Sequence, residues 1–428
     1  MTQPAAAATQ PDSDPAASTA GQRMTKRELR ASLSLASLYA FRMLGLFLIL
    51  PVFVVHARQL PGGADPLMVG LVLGVYSLTQ GLLQLPFGMA SDRLGRKPVI
   101  LFGLLLFALG SLVAAQATDV VSTILGRALQ GCGAISAAVT ACIADQTRDS
   151  QRTKAMAMVG ASIGLTFALS LVAAPLLYQR IGMSGLFYLT AAMAVLGMLI
   201  VWVGVPDLPL PDRVSSVPGA SAPARTRFMA VLCDAELARL NVGVFALHLV
   251  QLAMFVVLPN WLVERAGLSL PDHWQIYLPA VMVSFALMLP PLAWGERRGR
   301  MRAVFLGSVA LILTVQLGYA AQPVGLVAYG LLLLVFFAAF NVLEAILPSM
   351  VSRLAPPDAR GTALGIYNTI QALGLFAGGA VGGWISQRFG GASVFVLCAG
   401  VMTVWLLVAL GARRWPQSAG RPQPAPQS

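Results

Sequence analysis

Charge is what this sequence has least of. Only 11% of its 428 residues carry a charged side chain, against about 25% in soluble domains, and 57% are hydrophobic. A soluble core cannot hide so large an apolar fraction behind so few charges. The composition therefore excludes an ordinary soluble domain and predicts a chain that uses lipid as its solvent.

Histidine and cysteine are also scarce. The three histidines are far apart in sequence, and no His, Cys or Asp cluster has metal-ligand spacing, so we expect no metal and no cofactor. A phosphate-binding loop ending in Gly-Lys-Ser/Thr is missing, which argues against a nucleotide-driven pump. The four cysteines are expected to be free thiols rather than a disulfide framework: Cys132, Cys142, Cys233 and Cys398.

Long apolar runs, by contrast, are abundant. Each is about 18 to 26 residues long, enough to cross a hydrocarbon layer of roughly 30 Å as a helix. The sequence predicts twelve spans, at 33–56, 67–89, 98–117, 121–143, 154–177, 184–205, 237–262, 274–295, 303–320, 324–348, 361–384 and 392–411.

The basic residues, which give a net charge of +12, cluster between these runs rather than on one surface for nucleic acid. Placing the N-terminus inside assigns 23 of the 29 to cytoplasmic segments. The other side receives four, and two lie within spans. Since cytoplasmic loops are enriched in Lys and Arg, we expect both termini in the cytoplasm and a bacterial-type inner membrane. The first 22 residues have no apolar signal-peptide region.

Two similar halves are expected. A Ser-Asp-Arg-Leu-Gly-Arg loop at 91–96 and a Gly-Glu-Arg-Arg-Gly-Arg loop at 295–300 lie 204 residues apart, which suggests duplication and is typical of transporters built from six-helix repeats. The predicted organisation is a disordered tail at 1–30, a bundle at 31–206, a cytoplasmic linker at 207–236, a second bundle at 237–412 and a tail at 413–428.

The loop at residues 88–100, Gly-Met-Ala-Ser-Asp-Arg-Leu-Gly-Arg-Lys-Pro-Val-Ile, resembles motif A of the major facilitator superfamily. The resemblance implies a conformational latch in which Asp92 docks at the start of span eleven when the protein faces outward. A loop whose cations only set topology would explain neither the aspartate nor the glycines. The expected latch residues are Gly88, Asp92, Arg93, Gly95, Arg96, Lys97, Asp145, Arg152 and Gly361.

Span four contains Arg127 within Leu-Gly-Arg-Ala-Leu-Gln-Gly-Cys-Gly-Ala, which resembles motif B of proton-coupled members of that superfamily. The resemblance implies a role in proton transfer, and hydrogen bonding between helices is the structural alternative. Span five departs from the antiporter motif, because Ala174-Pro175 is followed by two leucines instead of glycines. The direction of transport is therefore left open.

Segments 41–45, 247–248, 341–349 and 360–367 look like the YajR-type branch of the superfamily, and the resemblance covers about Arg27 to Leu410. It implies an all-α membrane protein with twelve transmembrane helices in two six-helix bundles. The extra soluble C-terminal domain of YajR is not expected in the short tail of Pro, Gln and Ser.

Glu344 is the only carboxylate within a predicted span, and an intramembrane carboxylate is a functional candidate. His248 and Arg42 lie at comparable depth, on spans that the superfamily fold places around its cavity. We hypothesise that Glu344 and His248 form a proton-sensitive pair and that Arg42 favours the ionised carboxylate. A static salt bridge between Glu344 and Arg42 is the alternative.

Polar residues at helical spacing mark further faces that could contact substrate or bond to neighbouring helices. They are Tyr76, Gln80, Gln84, Gln251, Asn341, Asn368 and Gln371.

These patterns favour a monomeric secondary transporter that exports small amphipathic or drug-like organic solutes in exchange for protons. Uptake of a metabolite or sugar is the alternative within transport. The sequence has no cluster of reactive residues, which argues against a membrane-embedded enzyme. A transport-inactive sensor is expected to have lost the latch or the buried charges, and this sequence has both. The expected partners are a small-molecule substrate, protons and the lipid bilayer, and no nucleic acid.

Overall fold

The computed structural model of the chain describes residues 24–205, 224–356 and 359–412. Regular secondary structure in these residues is helical, which confirms the predicted all-α class. The helices are α1 (Lys26–Phe47), α2 (Leu50–His56), α3 (Pro66–Leu94), α4 (Arg96–Ala115), α5 (Val120–Gly131), α6 (Ser136–Gln146), α7 (Asp149–Gly204), α8 (Ala224–Cys233), α9 (Ala235–Glu264), α10 (Trp274–Arg298), α11 (Met301–Ala320), α12 (Leu326–Leu354), α13 (Arg360–Phe389) and α14 (Gly391–Leu410).

Twelve membrane passes follow from these helices. Eleven helical stretches among the described residues are long and apolar enough to cross a bilayer. One of them, Ser162–Gly204, has 43 residues, about twice what one crossing needs. Its helix α7 is interrupted at Gly182, where φ is 67° and ψ is −175°, a conformation that favours glycine. The chain therefore makes six passes in an N-terminal half (α1–α7) and six in a C-terminal half (α9–α14).

Some boundaries differ from the sequence prediction. Helix α1 begins at Lys26, within the expected tail, because Thr25 and Glu28 form a capping box. Helix α8 occupies the end of the expected linker. Span four is two helices, since the chain leaves helical geometry between Gly131 and Ser136. Residue 206 of the expected first bundle and the expected tail and linker residues at 1–23, 207–223 and 413–428 lie outside the described part of the chain.

The two halves touch along α3 and α13. A Cβ atom added to Gly70 would lie 2.0 Å from the carbonyl oxygen of Gly379, and one added to Gly81 would lie 2.9 Å from the Cβ of Ala372. Glycine at these positions lets the two helices approach backbone to backbone. We call this contact, from Gly70 and Gly379 to Gly81 and Ala372, the glycine seam.

The halves separate toward the end of the molecule that carries the loops after α3, α6, α10 and α12, here called the basic end. A Cβ atom added to Gly361 on α13 would meet no described atom within 4 Å, and Met89 on α3 is exposed. At the other end, here called the opposite end, Arg58 pairs with Glu264 across the two halves. The structure is thus closed at the opposite end and open toward the basic end.

Candidate functional site

His248 and Glu344 meet inside the C-terminal half. The Nε2 atom of His248 on α9 lies 3.2 Å from Oε1 of Glu344 on α12. Only 3% of His248 is exposed, and Oε1 of Glu344 is buried although 33% of that side chain is exposed. Helix α13 adds Gln371, whose Nε2 atom lies 2.6 Å from the same histidine nitrogen. The structure therefore brings the two side chains of the predicted pair together and adds Gln371, which the sequence predicted as a candidate substrate contact.

The other imidazole nitrogen fixes where a proton can be exchanged. His248 Nδ1 lies 2.9 Å from the main-chain carbonyl oxygen of Val244, and a carbonyl oxygen only accepts. Nδ1 therefore carries a hydrogen in both protonation states. A neutral His248 accepts at Nε2 from the amide of Gln371, whereas a protonated ring donates from Nε2 toward Glu344. One proton at Nε2 thus decides which neighbour His248 engages.

Apolar and phenolic side chains enclose the pair. Phe340 packs edge-on against His248 with ring centroids 5.9 Å apart. Tyr367, one turn before Gln371 on α13, is buried, and its hydroxyl has no hydrogen-bond partner among the described residues. A charge on the buried Oε1 atom of Glu344 costs free energy unless it is paired or neutralised. A proton shared by Glu344 and His248 satisfies that requirement.

The two arginines within the spans make their contacts in the N-terminal half. Arg42 on α1 donates from NH1 to the hydroxyl of Ser136 at 2.6 Å, and Arg127 on α5 donates from NH1 to Oε1 of Gln130 at 2.7 Å. Their guanidinium carbons lie 6.0 Å and 4.8 Å from the centroid of the Tyr76 ring.

Among the carboxylates that the structure describes, none pairs with either arginine. In this conformation, Arg42 therefore makes no direct contact through which it could favour the ionised form of Glu344 in the way that the sequence predicted. The alternative, a salt bridge between Glu344 and Arg42, is not formed either.

The other polar candidates divide by their surroundings. Asn341 on α12 donates to the hydroxyl of Ser284 on α10 at 3.0 Å, which is a contact between helices. Asn368 is exposed on α13, toward the basic end from Gln371. Tyr76, Gln84 and Gln251 are buried, and Gln80 is half-buried.

The expected latch residues gather at the basic end. Arg96 pairs with Asp92 on α3, and its Nε atom donates to Asp145 on α6 at 2.9 Å. Gly95 connects α3 to α4 with φ of 94°, a value that favours glycine. Asp92 remains 63% exposed and does not reach Gly361.

The other latch residues surround this network. Gly88 packs against Ala137 of α6, Arg93 is exposed and Lys97 is half-buried, while the side chain of Arg152 lies outside the described part of the chain. Docking of Asp92 on α13 is expected in the outward-facing conformation. Since this structure is open toward the basic end, docking stays a prediction.

Tyr367, Ser136 and Ser284 were not among the residues predicted from the sequence. Tyr367 is four residues before Gln371 on one helix, so the spacing alone places both on one face. The two serines are hydroxyl groups in otherwise apolar spans, which is a weaker signal. Their partners come from other helices, and a single sequence does not specify that pairing.

Comparison with known proteins decides the family. A family model described as Major Facilitator Superfamily matches residues 35–379 and, in a second match, residues 293–427. The chain belongs to the Major Facilitator Superfamily. Its twelve passes in two six-helix halves are the fold expected of that superfamily, whose members are transporters and not enzymes.

The chain is similar to two curated relatives and one solved structure. The inner membrane transport protein YajR of Escherichia coli (strain K12) is 40% identical over 390 residues, 90% of this chain and 84% of that protein. The multidrug resistance protein MdtH of Aeromonas hydrophila is 27% identical over 349 residues, 80% and 84% of the two chains. The crystal structure of the human organic anion transporter MFSD10 (TETRAN) has a TM-score of 0.67 at 21% identity, over 89% of this chain and 99% of that one, a likeness of fold.

The predicted resemblance to the superfamily and its YajR-type branch is therefore confirmed. The chain is a transporter and an integral membrane protein.

Proposed function

We propose that the chain exports small amphipathic organic solutes in exchange for protons and that Glu344 and His248 hold the transported proton. The observation that carries this proposal is the 3.2 Å approach of His248 Nε2 to Glu344 Oε1 within buried, mostly apolar surroundings. Two titratable groups this close exchange a proton without moving a helix. When His248 is protonated and Glu344 is ionised, the two side chains form an ion pair with no net charge. Loss of the shared proton leaves Glu344 as a carboxylate without a positively charged partner.

Gln371 connects the proton to the contact between halves. It lies on α13, the helix that forms the glycine seam with α3, and it directly precedes Ala372 of that seam. When His248 Nε2 donates to Glu344, the amide of Gln371 loses its acceptor and has to reorient. Protonation therefore acts on the helix that holds the halves together, as alternating access requires.

Amphipathic solutes suit the surroundings of the pair. Aromatic rings contact one another from Phe167 in the N-terminal half through Phe337 and Phe336 to Phe340, beside His248. Such rings can stack on or enclose an apolar solute. The name of the relative MdtH, a multidrug resistance protein, supports the same class of solute.

Membrane orientation and the latch complete the proposal. In this proposal the basic end and both chain termini lie in the cytoplasm of an inner membrane, and the 23 basic residues of the expected cytoplasmic segments support that orientation. The structure then represents a conformation open to the cytoplasm. The latch network of Asp92, Arg96 and Asp145 closes this end in the other conformation, and a monomer contains every part of the cycle.

Reconstitution in lipid vesicles tests the proposal. An imposed pH gradient should drive a fluorescent amphipathic dye across the membrane with the wild type and fail to do so with Glu344→Gln. Exchange of dye for dye at equal pH should survive in Glu344→Gln, because that reaction needs no net proton movement. Asp272→Asn, in the loop between α9 and α10, is the matched control. Full gradient-driven transport by Glu344→Gln would refute the assignment.

Proton-driven or facilitative uptake of a metabolite or sugar is the second candidate. It is favoured by the two leucines after Ala174-Pro175, where an antiporter motif would have glycines. The same vesicles separate the two directions. Export predicts that solute moves against the proton flow, proton-driven uptake predicts that both move together, and facilitative uptake predicts solute movement that does not depend on the pH gradient.

A further inference from the structure

Span four is broken about halfway across the membrane, and the break lies beside buried positive charge. Helix α5 ends at Gly131 and α6 begins at Ser136, with no side-chain cap from Ile135. The first turn of a helix has backbone N–H groups without intrahelical partners and carries partial positive charge. Ser136, in that first turn, accepts a hydrogen bond from NH1 of Arg42.

Donors at this break are left without partners. The Nε and NH2 groups of Arg42, NH2 of Arg127 and the hydroxyl of Tyr76 have no hydrogen-bond partner among the described residues. Arg42 is 2% exposed, and Arg127 and Tyr76 have no exposed surface. Buried guanidinium groups are costly unless they are paired, and none of the described carboxylates pairs with these two.

Hydrogen bonds to neighbouring helices hold the buried arginine side chains in position. Arg127 also donates from Nε to the main-chain carbonyl of Val72 at 3.4 Å, and Gln130, its other partner, donates to the hydroxyl of Ser111 at 2.6 Å. Both guanidinium groups contact the Tyr76 ring, at 6.0 Å and 4.8 Å from its centroid. The cluster therefore supplies planar, forked donors of the kind that bind both oxygens of a carboxylate.

We propose that Arg42, Arg127, Tyr76 and the first turn of α6 bind the carboxylate of an anionic organic solute, which names a substrate class for the transport proposed above. A half-helix N-terminus at a mid-membrane break directed at an anionic group is a recurring arrangement in secondary transporters. The donors are hidden in this conformation, so an incoming carboxylate displaces the contacts of the two guanidinium groups with the Tyr76 ring, and the unpartnered Tyr76 hydroxyl donates to it.

The site lies in the N-terminal half, whereas His248 and Glu344 lie in the C-terminal half. The carboxylate of the solute and the proton are therefore bound by separate bundles, and rocking of one bundle against the other couples them. It follows that binding of an anion at equilibrium survives Glu344→Gln.

Thermal unfolding of the purified full chain tests the site with the smallest carboxylate. Formate, its uncharged counterpart formamide and chloride are titrated at constant ionic strength. Formate should raise the melting temperature, and formamide and chloride should not. Arg42→Gln and Arg127→Gln should each weaken the formate effect about tenfold or more, because each removes a charge-assisted hydrogen bond. Arg180→Gln, which removes an exposed arginine of the same half, should keep it.

Equal shifts with formate and formamide would overturn the proposal, as would a full formate effect in Arg42→Gln. A shift with chloride alone would assign the cluster to a free inorganic anion and would overturn the carboxylate assignment. If the glutamine variants fail to fold, the three wild-type titrations and Arg42→Lys, which keeps the charge but not the fork, still decide the question. Since no pH gradient is involved, failure here leaves proton coupling untouched, and retention of the formate effect in Glu344→Gln separates the two proposals.

Discussion

His248 and Glu344 come from helices of the same half, and their side chains approach to 3.2 Å between Nε2 and Oε1. A proton shared by them therefore does not by itself bridge the two bundles. The connection to the other half passes through Gln371, on the helix that also forms the glycine seam. Coupling between proton and conformation is thus expected to depend on this third residue.

Replacing Gln371 by leucine should reduce gradient-driven transport while leaving the protein folded. A hydrogen bond of this kind contributes about 1 kcal/mol, so the rate in vesicles should fall about fivefold. Gln371→Asn, which keeps the amide on a shorter side chain, should recover part of the loss. Unchanged gradient-driven transport in Gln371→Leu would show that the amide takes no part in coupling.

The glycine seam should control how tightly the halves close. Gly70→Ala places a methyl group 2.0 Å from the carbonyl oxygen of Gly379, so the closed contact at the opposite end should be destabilised by about 1–3 kcal/mol. Spin labels on α3 and α13 at the opposite end should show a larger fraction of long distances in double electron–electron resonance.

Gly307→Ala is the matched control for that substitution. An added Cβ at Gly307 on α11 meets no described atom within 4 Å, so this variant should leave the distances unchanged and gain up to about 1 kcal/mol from helix propensity. Identical distance distributions for Gly70→Ala and Gly307→Ala would contradict the seam as a conformational contact.

Much of the fold could be predicted from the sequence because a chain that crosses lipid has to bond its backbone polar groups within each pass. A run of about 20 apolar residues forms a helix, and the lengths and spacing of such runs predicted all twelve passes. The break between Gly131 and Ser136 could not be predicted in this way. It depends on Gly131 packing against the backbone of α3 and Gly133 against that of α4, and such contacts between helices do not alter the length of an apolar run.

The candidate site was predictable in part for a similar reason. Glu344 and His248 stood out because ionisable groups are rare in spans. Arg42 stood out equally, yet its hydrogen bond goes to Ser136 in its own half. Depth along a helix can be counted from a sequence, whereas the direction in which a side chain points depends on how each helix is rotated in its bundle.

The latch carries an asymmetry that can be measured. Asp92 pairs with Arg96, which also binds Asp145, whereas Glu296 in the corresponding loop of the other half has no ion-pair partner among the described residues. Asp92→Asn should therefore impair transport severalfold more than Glu296→Gln in the same vesicles. Equal defects in the two variants would count against a latch that is stronger in the N-terminal half.

The ion pair between Arg58 and Glu264 should matter little. Their side chains are 45% and 48% exposed, and exposed pairs contribute less than about 1 kcal/mol. In Glu264→Gln, the fraction of molecules with long distances between the labelled halves should change by no more than about fivefold. High salt should change that fraction by a similar amount in the wild type. A larger shift that is insensitive to salt would mean that this pair controls closure of the opposite end.

Infrared difference spectroscopy of the purified protein tests the shared proton most directly. Between alkaline and acidic buffer, the wild type should gain either the imidazolium band of protonated His248 or the protonated-carboxyl band of Glu344, according to which group carries the shared proton. Glu344→Gln and His248→Gln should each abolish that band or move it to a different pH. A band that is unchanged in both variants would contradict the claim that Glu344 and His248 hold the transported proton.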